Sequence, residues 1–108
     1  MPTYNKLVRD RIPEIITSRG LTPNSRKLDT EEYRNELRKK LQEEVQEYLS
    51  AANDKESVEE LADVLEVLHA LVEIHGSSVQ ELEQVRAHKA AERGGFRDRC
   101  FLIDVPDA

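Results

Sequence analysis

The sequence predicts an all-α fold, a bundle of about four helices that forms a single domain over residues 1–108. Apolar residues recur at three- and four-residue intervals through most of the chain, which is the period of an amphipathic helix. Three of the predicted helices follow a residue that can cap a helix N-terminus, and the loops between them are short. Short connections between capped amphipathic helices favour an all-α bundle.

The first half of the chain is predicted to contain a short helix and a long one. Residues 4–18 are expected to form a turn followed by a short helix, because Pro13 limits where a helix can run. A loop rich in Arg, Asn, Ser and Lys follows over residues 19–28. The second helix is predicted for residues 30–52, since Asp29 is a cap residue with a glutamate three positions later.

The third and fourth helices are also predicted from an N-cap residue that precedes a glutamate by three positions. Ser57 precedes a glutamate by three residues, and the helix after it is expected to end before Gly76. This helix is apolar around most of its circumference, so it is predicted to be the central one. Ser78 begins the fourth helix, which is expected to run to about Arg93. The apolar tail over residues 100–105 is expected to be a strand or an extended segment laid on the bundle.

The composition excludes several classes of protein. A net charge of -6 and a pI near 5.1 disfavour nucleic acid as a partner. No apolar run approaches the roughly 20 residues that span a bilayer, and the N-terminus lacks the pattern of a signal peptide, so no membrane is expected. The single cysteine, Cys100, rules out an internal disulfide framework and indicates the cytoplasm. Because only 5% of the residues are aromatic, we expect a partner surface to complete the core.

Four acidic residues are predicted to lie within apolar surface. On a helical wheel, Glu44 falls in the middle of the apolar face of the second helix, and Glu47 flanks that face. Glu60 and Asp63 have the same three-residue spacing in the third helix and also lie among apolar residues. Exposed acids in a helix-favouring sequence are the common alternative. Their position argues against it, because carboxylates are seldom buried unless they are paired or bound to a cation.

Converging carboxylates repel one another unless a cation lies among them. Oxygen ligands without histidine or cysteine favour Mg²⁺ or Mn²⁺. A di-iron bundle would use Glu-x-x-His pairs, and neither acidic motif contains a histidine. The two acidic motifs therefore favour a magnesium site, with Mn²⁺ as a possible substitute.

The two acidic motifs, Glu-x-x-Glu and Glu-x-x-Asp with twelve residues between them, resemble the signature of the all-α nucleotide pyrophosphohydrolases. The segments YNKLVRDRIPEII and KAAERGGF resemble the subgroup described as MazG-like or phosphoribosyl-ATP pyrophosphohydrolase-like. The resemblance covers residues 4–102. It implies a helical bundle that is completed as a homodimer or a dimer of dimers. It also implies a hydrolase acting on acid anhydrides, which cleaves a nucleoside triphosphate between the α- and β-phosphates in a house-cleaning role.

The resemblance implies roles for particular residues as well. Four acids would bind a Mg²⁺ that the substrate phosphates also contact, and these are Glu44, Glu47, Glu60 and Asp63. Glu44 and Glu47 are also the candidates for orienting or deprotonating the attacking water. These residue types suit the reaction, because hydrolysis of an anhydride needs no covalent nucleophile from the protein.

An acidic site also needs cationic side chains to hold a triphosphate, and two segments supply candidates. Lys89 and Arg93 lie on one side of the last helix, in the late basic motif, and are predicted to contact phosphate. Arg86 is expected instead to pair with a neighbouring glutamate. In the N-terminal segment Lys6 and Arg9 are candidates for nucleotide contact. The alternative is that this segment is a docking arm held by its apolar residues.

Two other functions remain compatible with the sequence. A non-catalytic helical dimerisation or regulatory module would place its acids on solvated faces. Phosphoribosyl-ATP pyrophosphohydrolase proper would act on one particular nucleotide, whereas a house-cleaning enzyme would act on others. No motif in the chain identifies a purine or a pyrimidine, so the sequence leaves the nucleotide open.

Overall fold

A computed structural model of the chain describes residues 2–107. Over that range it has four α-helices and no strand, so the predicted all-α fold is confirmed. In chain order the helices are α1 (Ile12–Ser18), α2 (Thr30–Leu49), α3 (Asp54–Ile74) and α4 (Val79–Arg93). No helix within residues 2–107 combines the length and the apolarity that a bilayer crossing requires.

The α2 helix begins where the sequence predicts. The Asp29 side chain accepts a hydrogen bond from the backbone N–H of Glu32 at 2.9 Å, and the Glu32 carboxylate accepts one from the Asp29 N–H at 3.4 Å. Arg26 also donates to Glu32, and these hydrogen bonds, from Arg26 first and then from Asp29, lower the pKa of Glu32 to about 2. The helix ends at Leu49, slightly before the predicted residue 52.

The α3 helix begins earlier than predicted, because Asn53 and not Ser57 is its N-cap. The Asn53 side chain accepts a hydrogen bond from the backbone N–H of Glu56 at 2.9 Å. Ser57 lies inside the helix, where its hydroxyl donates to the Asn53 carbonyl. Both residues precede a glutamate by three positions, and Asn caps a helix as well as Ser does. The earlier start also places Asp54 and Glu56 at the positive end of the helix dipole. The turn between α2 and α3 is therefore only residues 50–53.

The α4 helix begins at its predicted cap, where the Ser78 hydroxyl accepts a hydrogen bond from the Glu81 N–H at 3.1 Å. Arg86 pairs with Glu83 at 2.5 Å, which confirms the prediction that it pairs on the surface. The prediction for residues 100–105 is wrong. They form no strand, and their apolar side chains are exposed to solvent and do not cover the helices.

The hairpin of α2 and α3 is the packed part of the molecule. The α4 helix contacts α3 alone, and α1 packs on none of the other helices. Among the residues described, Leu37 of α2 and Val67 of α3 are the only buried apolar side chains. The radius of gyration is 18.7 Å, against about 13 Å for a compact domain of this length. One copy of the chain is thus an extended structure with a thin core.

Candidate metal centre

The hairpin of α2 and α3 brings three of the predicted acids together. One carboxylate oxygen from each of Glu44, Glu47 and Glu60 lies within 4.8 Å of the other two. Glu44 is buried, with 7% of its surface exposed, Glu60 is half-buried and Glu47 is exposed. The three-residue spacing places Glu44 and Glu47 on one turn of α2, and the short turn returns α3 beside them.

Two oxygen atoms of this cluster are buried without a hydrogen-bond partner, namely Oε2 of Glu44 and Oε2 of Glu60. Burial raises the pKa of Glu44, and the facing carboxylate of Glu47 raises it further. Lys40 opposes this rise in the pKa, and Asp63 adds to it. Because buried carboxylate oxygens normally have a donor or a cation beside them, these two oxygen atoms mark a place that a cation would fit.

A hard divalent cation fits this set of donors. Three converging carboxylates, two of which have an unpaired buried oxygen, provide the ligands that Mg²⁺ and Mn²⁺ prefer. Over the residues for which coordinates are described, the cluster contains no histidine or cysteine, which a zinc or di-iron centre would use. The cluster could therefore hold a divalent cation, and Mg²⁺ as the bound ion stays a prediction.

Asp63, the fourth predicted ligand, lies outside the group of three. Its Oδ1 accepts a hydrogen bond from Nη2 of Arg9 at 2.5 Å, across 54 positions of sequence. Every other ion pair within residues 2–107 joins residues at most six positions apart. Arg9 thus reaches the acidic centre through one of its predicted ligands.

The structure does not bring the other predicted basic residues to the acids. Lys6 lies over the ring of Tyr4, with its Nζ 5.9 Å from the ring centroid. Lys89 and Arg93 are exposed on α4, and neither makes an ion pair in the described part of the chain. Nucleotide contact by these three residues stays a prediction.

Lys40 lies beside the cluster of acids, although it was not predicted from the sequence. Its Nζ lies 3.4 Å from Oε1 of Glu44 and 3.6 Å from Oε2 of Glu43, and its side chain is mostly covered. The spacing of four residues between Lys40 and Glu44 is the signal that could have identified it. Lys40 neutralises part of the charge on Glu44 and leaves Oε2 of that residue unpaired.

Comparisons with known proteins agree with the resemblance drawn from the motifs. An uncharacterized protein of Mycolicibacterium smegmatis is 50% identical over 52 residues, which are 48% of this chain and 52% of that protein. The chain thus spans about half the length of this curated relative, and no solved structure shows a significant match. The model of the phosphoribosyl-ATP pyrophosphohydrolase family matches residues 2–91, which include both acidic motifs. The protein therefore belongs to the phosphoribosyl-ATP pyrophosphohydrolase family.

Proposed function

We propose that the protein hydrolyses a nucleotide at its α–β phosphoanhydride, releasing a monophosphate and pyrophosphate, with a divalent cation held by the acids of the hairpin. The proposed ligands are Glu44, Glu47, Glu60 and Asp63. The observation that carries the proposal is the group of three carboxylates in which two buried oxygen atoms have no partner. In a chain of a pyrophosphohydrolase family, a Mg²⁺ that also contacts the substrate phosphates would supply the missing charge.

The residues of the cluster are suited to different tasks. A bound divalent cation would neutralise phosphate charge and acidify a water molecule. The unpaired Oε2 atoms of Glu44 and Glu60 are available as ligands. Glu47 is exposed beside them, so its carboxylate can accept a proton from the attacking water. As water attacks the α-phosphorus, the bond to the bridging oxygen breaks and pyrophosphate leaves with that oxygen.

We further propose that the active protein is a homodimer or a dimer of dimers. One chain exposes 9960 Å², whereas a compact monomer of this mass exposes about 6,100 Å². The exposed side chains of α3 include Val58, Leu61 and Leu65, which a second copy would cover. Light scattering is expected to give at least twice the mass of 12.4 kDa, and a strictly monomeric protein would contradict the proposal.

Two alternative functions, a non-catalytic module and a phosphoribosyl-ATP pyrophosphohydrolase, differ in how well they agree with the observations. A non-catalytic helical module predicts solvated acids, but Glu44 is buried and Glu60 is half-buried. Phosphoribosyl-ATP remains a candidate substrate, because the matching family is described by the enzyme that cleaves it. General nucleotide sanitation is the preferred role, since the motifs resemble the MazG-like subgroup.

A substrate panel tests the reaction. Canonical nucleoside triphosphates, damaged ones and phosphoribosyl-ATP are incubated with Mg²⁺ or Mn²⁺, and monophosphate and pyrophosphate are measured. Glu44→Gln and Glu60→Gln are each expected to lower activity by at least about a hundredfold. Glu43→Gln and Glu59→Gln change exposed neighbours on the same two helices and should keep activity. Release of orthophosphate, or an active Glu44→Gln variant, would refute the assignment.

A further inference from the structure

The ion pair between Arg9 and Asp63 connects the N-terminal segment to the hairpin. Within the described coordinates it is the only side-chain hydrogen bond between residues more than six positions apart. The α1 helix, which follows Arg9, packs on no other helix. Among side-chain hydrogen bonds in residues 2–107, the one to the Asp63 carboxylate is therefore the link between the N-terminal segment and α3.

That carboxylate is also one of the proposed cation ligands. Asp63 lies one helical turn after Glu60, and its charge acts on Glu44 in the adjacent helix. The guanidinium of Arg9 donates a charge-assisted hydrogen bond from Nη2 to Oδ1 of Asp63. A divalent cation that binds Asp63 therefore competes with Arg9 for the charge of one carboxylate, whose Oδ1 atom Arg9 contacts.

The pair is also open to exchange. Arg9 keeps 56% of its side-chain surface exposed and Asp63 keeps 39%, so water and ions reach both groups. Ion pairs at such exposed positions are weak, and they break without unfolding the protein. The forked guanidinium of Arg9 also matches a phosphate group as well as it matches a carboxylate.

We propose that Arg9 is an exchangeable counter-ion of the metal centre. It pairs with Asp63 when no divalent cation is bound, and it transfers to a phosphate oxygen of the nucleotide once a cation takes Asp63. The N-terminal segment then moves with Arg9 from α3 to the substrate. This inference rests on the proposed function, and it makes Arg9 a residue that positions the substrate and couples nucleotide binding to metal binding.

Metal binding without nucleotide tests the first half of the exchange. Calorimetric titration of the 108-residue chain with Mn²⁺ compares the wild type, Arg9→Ala and Arg11→Ala. Arg11 is the matched control, because it lies in the same segment but pairs with Glu14 at 3.5 Å. Arg9→Ala is expected to bind Mn²⁺ about two- to fivefold more tightly, since the competing cation is gone. Equal or weaker binding would overturn the proposal and leave the pair as a structural link.

Nucleotide binding tests the second half. With Mn²⁺ present, Arg9→Ala should bind an α,β-methylene nucleoside triphosphate more weakly than the wild type, and Arg11→Ala should bind it equally well. Arg9→Lys keeps the charge without the fork, so its Mn²⁺ affinity should stay near that of the wild type while its affinity for the analogue falls. If Arg9→Ala keeps full affinity for the analogue, Arg9 does not reach the phosphates and the proposal is wrong.

Amide hydrogen exchange measures directly whether the N-terminal segment leaves α3. Amide exchange over residues 4–18 is expected to speed up when Mn²⁺ alone is added and to slow down when the analogue follows. Unchanged exchange in both steps would overturn the transfer. Absence of hydrolysis together with tighter Mn²⁺ binding by Arg9→Ala would refute the proposed function and support the competition for Asp63. Normal turnover with unchanged Mn²⁺ binding would refute the exchange alone.

Discussion

Glu44→Gln is expected to stabilise the protein when no divalent cation is present, although the same substitution is expected to lower the proposed activity. Glu44 has 7% of its surface exposed, and its Oε2 atom has no hydrogen-bond donor. Glutamine keeps the shape of the side chain, removes the negative charge and adds an amide that can donate to the neighbouring carboxylates. The substitution should therefore raise the stability of the metal-free protein.

The expected gain in the free energy of unfolding is about 1 kcal/mol. A buried polar group without a partner costs about 1–3 kcal/mol, and the substitution relieves most of that cost. It also removes the ion pair with Lys40, whose Nζ is 3.4 Å from Glu44. Because Lys40 keeps exposed Glu43 as a partner, the loss is about 0.5–1 kcal/mol. For a chain of 108 residues, the net gain corresponds to roughly 4 °C in melting temperature.

Thermal unfolding by far-ultraviolet circular dichroism, at one protein concentration, measures this effect in EDTA and in saturating Mn²⁺. Glu43→Gln is the matched control, because Glu43 also contacts Lys40, at 3.6 Å, but is exposed and lies outside the cluster. In Mn²⁺ the order should reverse, since the ion stabilises the wild type by about 2.7 kcal/mol at a hundred times its Kd. If Glu44→Gln melts in EDTA at or below the temperature of Glu43→Gln, the cluster carries no electrostatic penalty and the reasoning is refuted.

The pH dependence of the same two proteins reports the ionisation of Glu44. Its pKa is raised above the ordinary value of 4.5, so the folded chain holds this proton more tightly than the unfolded chain does. Protonated Glu44 contributes its full stability below pH 4.5, and this contribution is lost as the pH rises through the raised pKa. In EDTA the advantage of Glu44→Gln over the wild type should therefore be small in acid and larger at neutral pH.

Four other substitutions test separate parts of the structure. Asp63→Asn should abolish most of the rise in melting temperature that Mn²⁺ gives the wild type, and an undiminished rise would remove Asp63 from the centre. Asn53→Ala should cost about 1 kcal/mol in denaturant unfolding because it removes the α3 cap. Ser57→Ala should cost less, and the opposite order would favour the later helix start. The pKa of Glu32 is lowered to about 2, so its contribution to stability is present above pH 4.5 and lost as the pH falls toward 2. Glu32→Gln should weaken this acid dependence, as followed by circular dichroism during acid titration.

Helix starts were predictable wherever one local interaction decides them. Asp29 and Ser78 each cap a helix through a hydrogen bond to a backbone N–H three residues later, and sequence spacing is sufficient to identify such pairs. The start of α3 was not predictable in this way, since Asn53 and Ser57 both satisfy the spacing. The choice between them depends on the hydrogen bonds and the helix dipole of the whole first turn, which pattern matching does not weigh.

In the candidate site, too, the contacts that could be predicted are local in sequence, and the one that could not is long-range. The convergence of Glu44, Glu47 and Glu60 followed from helical periodicity and a short turn, both of which are local. The contact between Arg9 and Asp63 spans 54 positions, and no sequence pattern specifies a pair at that distance. The sequence could suggest Arg9 as a candidate for nucleotide contact, but only the structure shows that Arg9 pairs with an acid of α3.

The turn of residues 50–53 has a consequence for the folding of the chain. All four proposed ligands lie between Glu44 and Asp63, so the centre needs only local contacts and a four-residue loop to form. Local contacts of this kind form fast, ahead of contacts that close long loops. On the proposed function, a divalent ion would find its ligands already gathered in the hairpin of a newly made chain, before the proposed subunits meet. The ion would then stabilise a unit that forms early in folding.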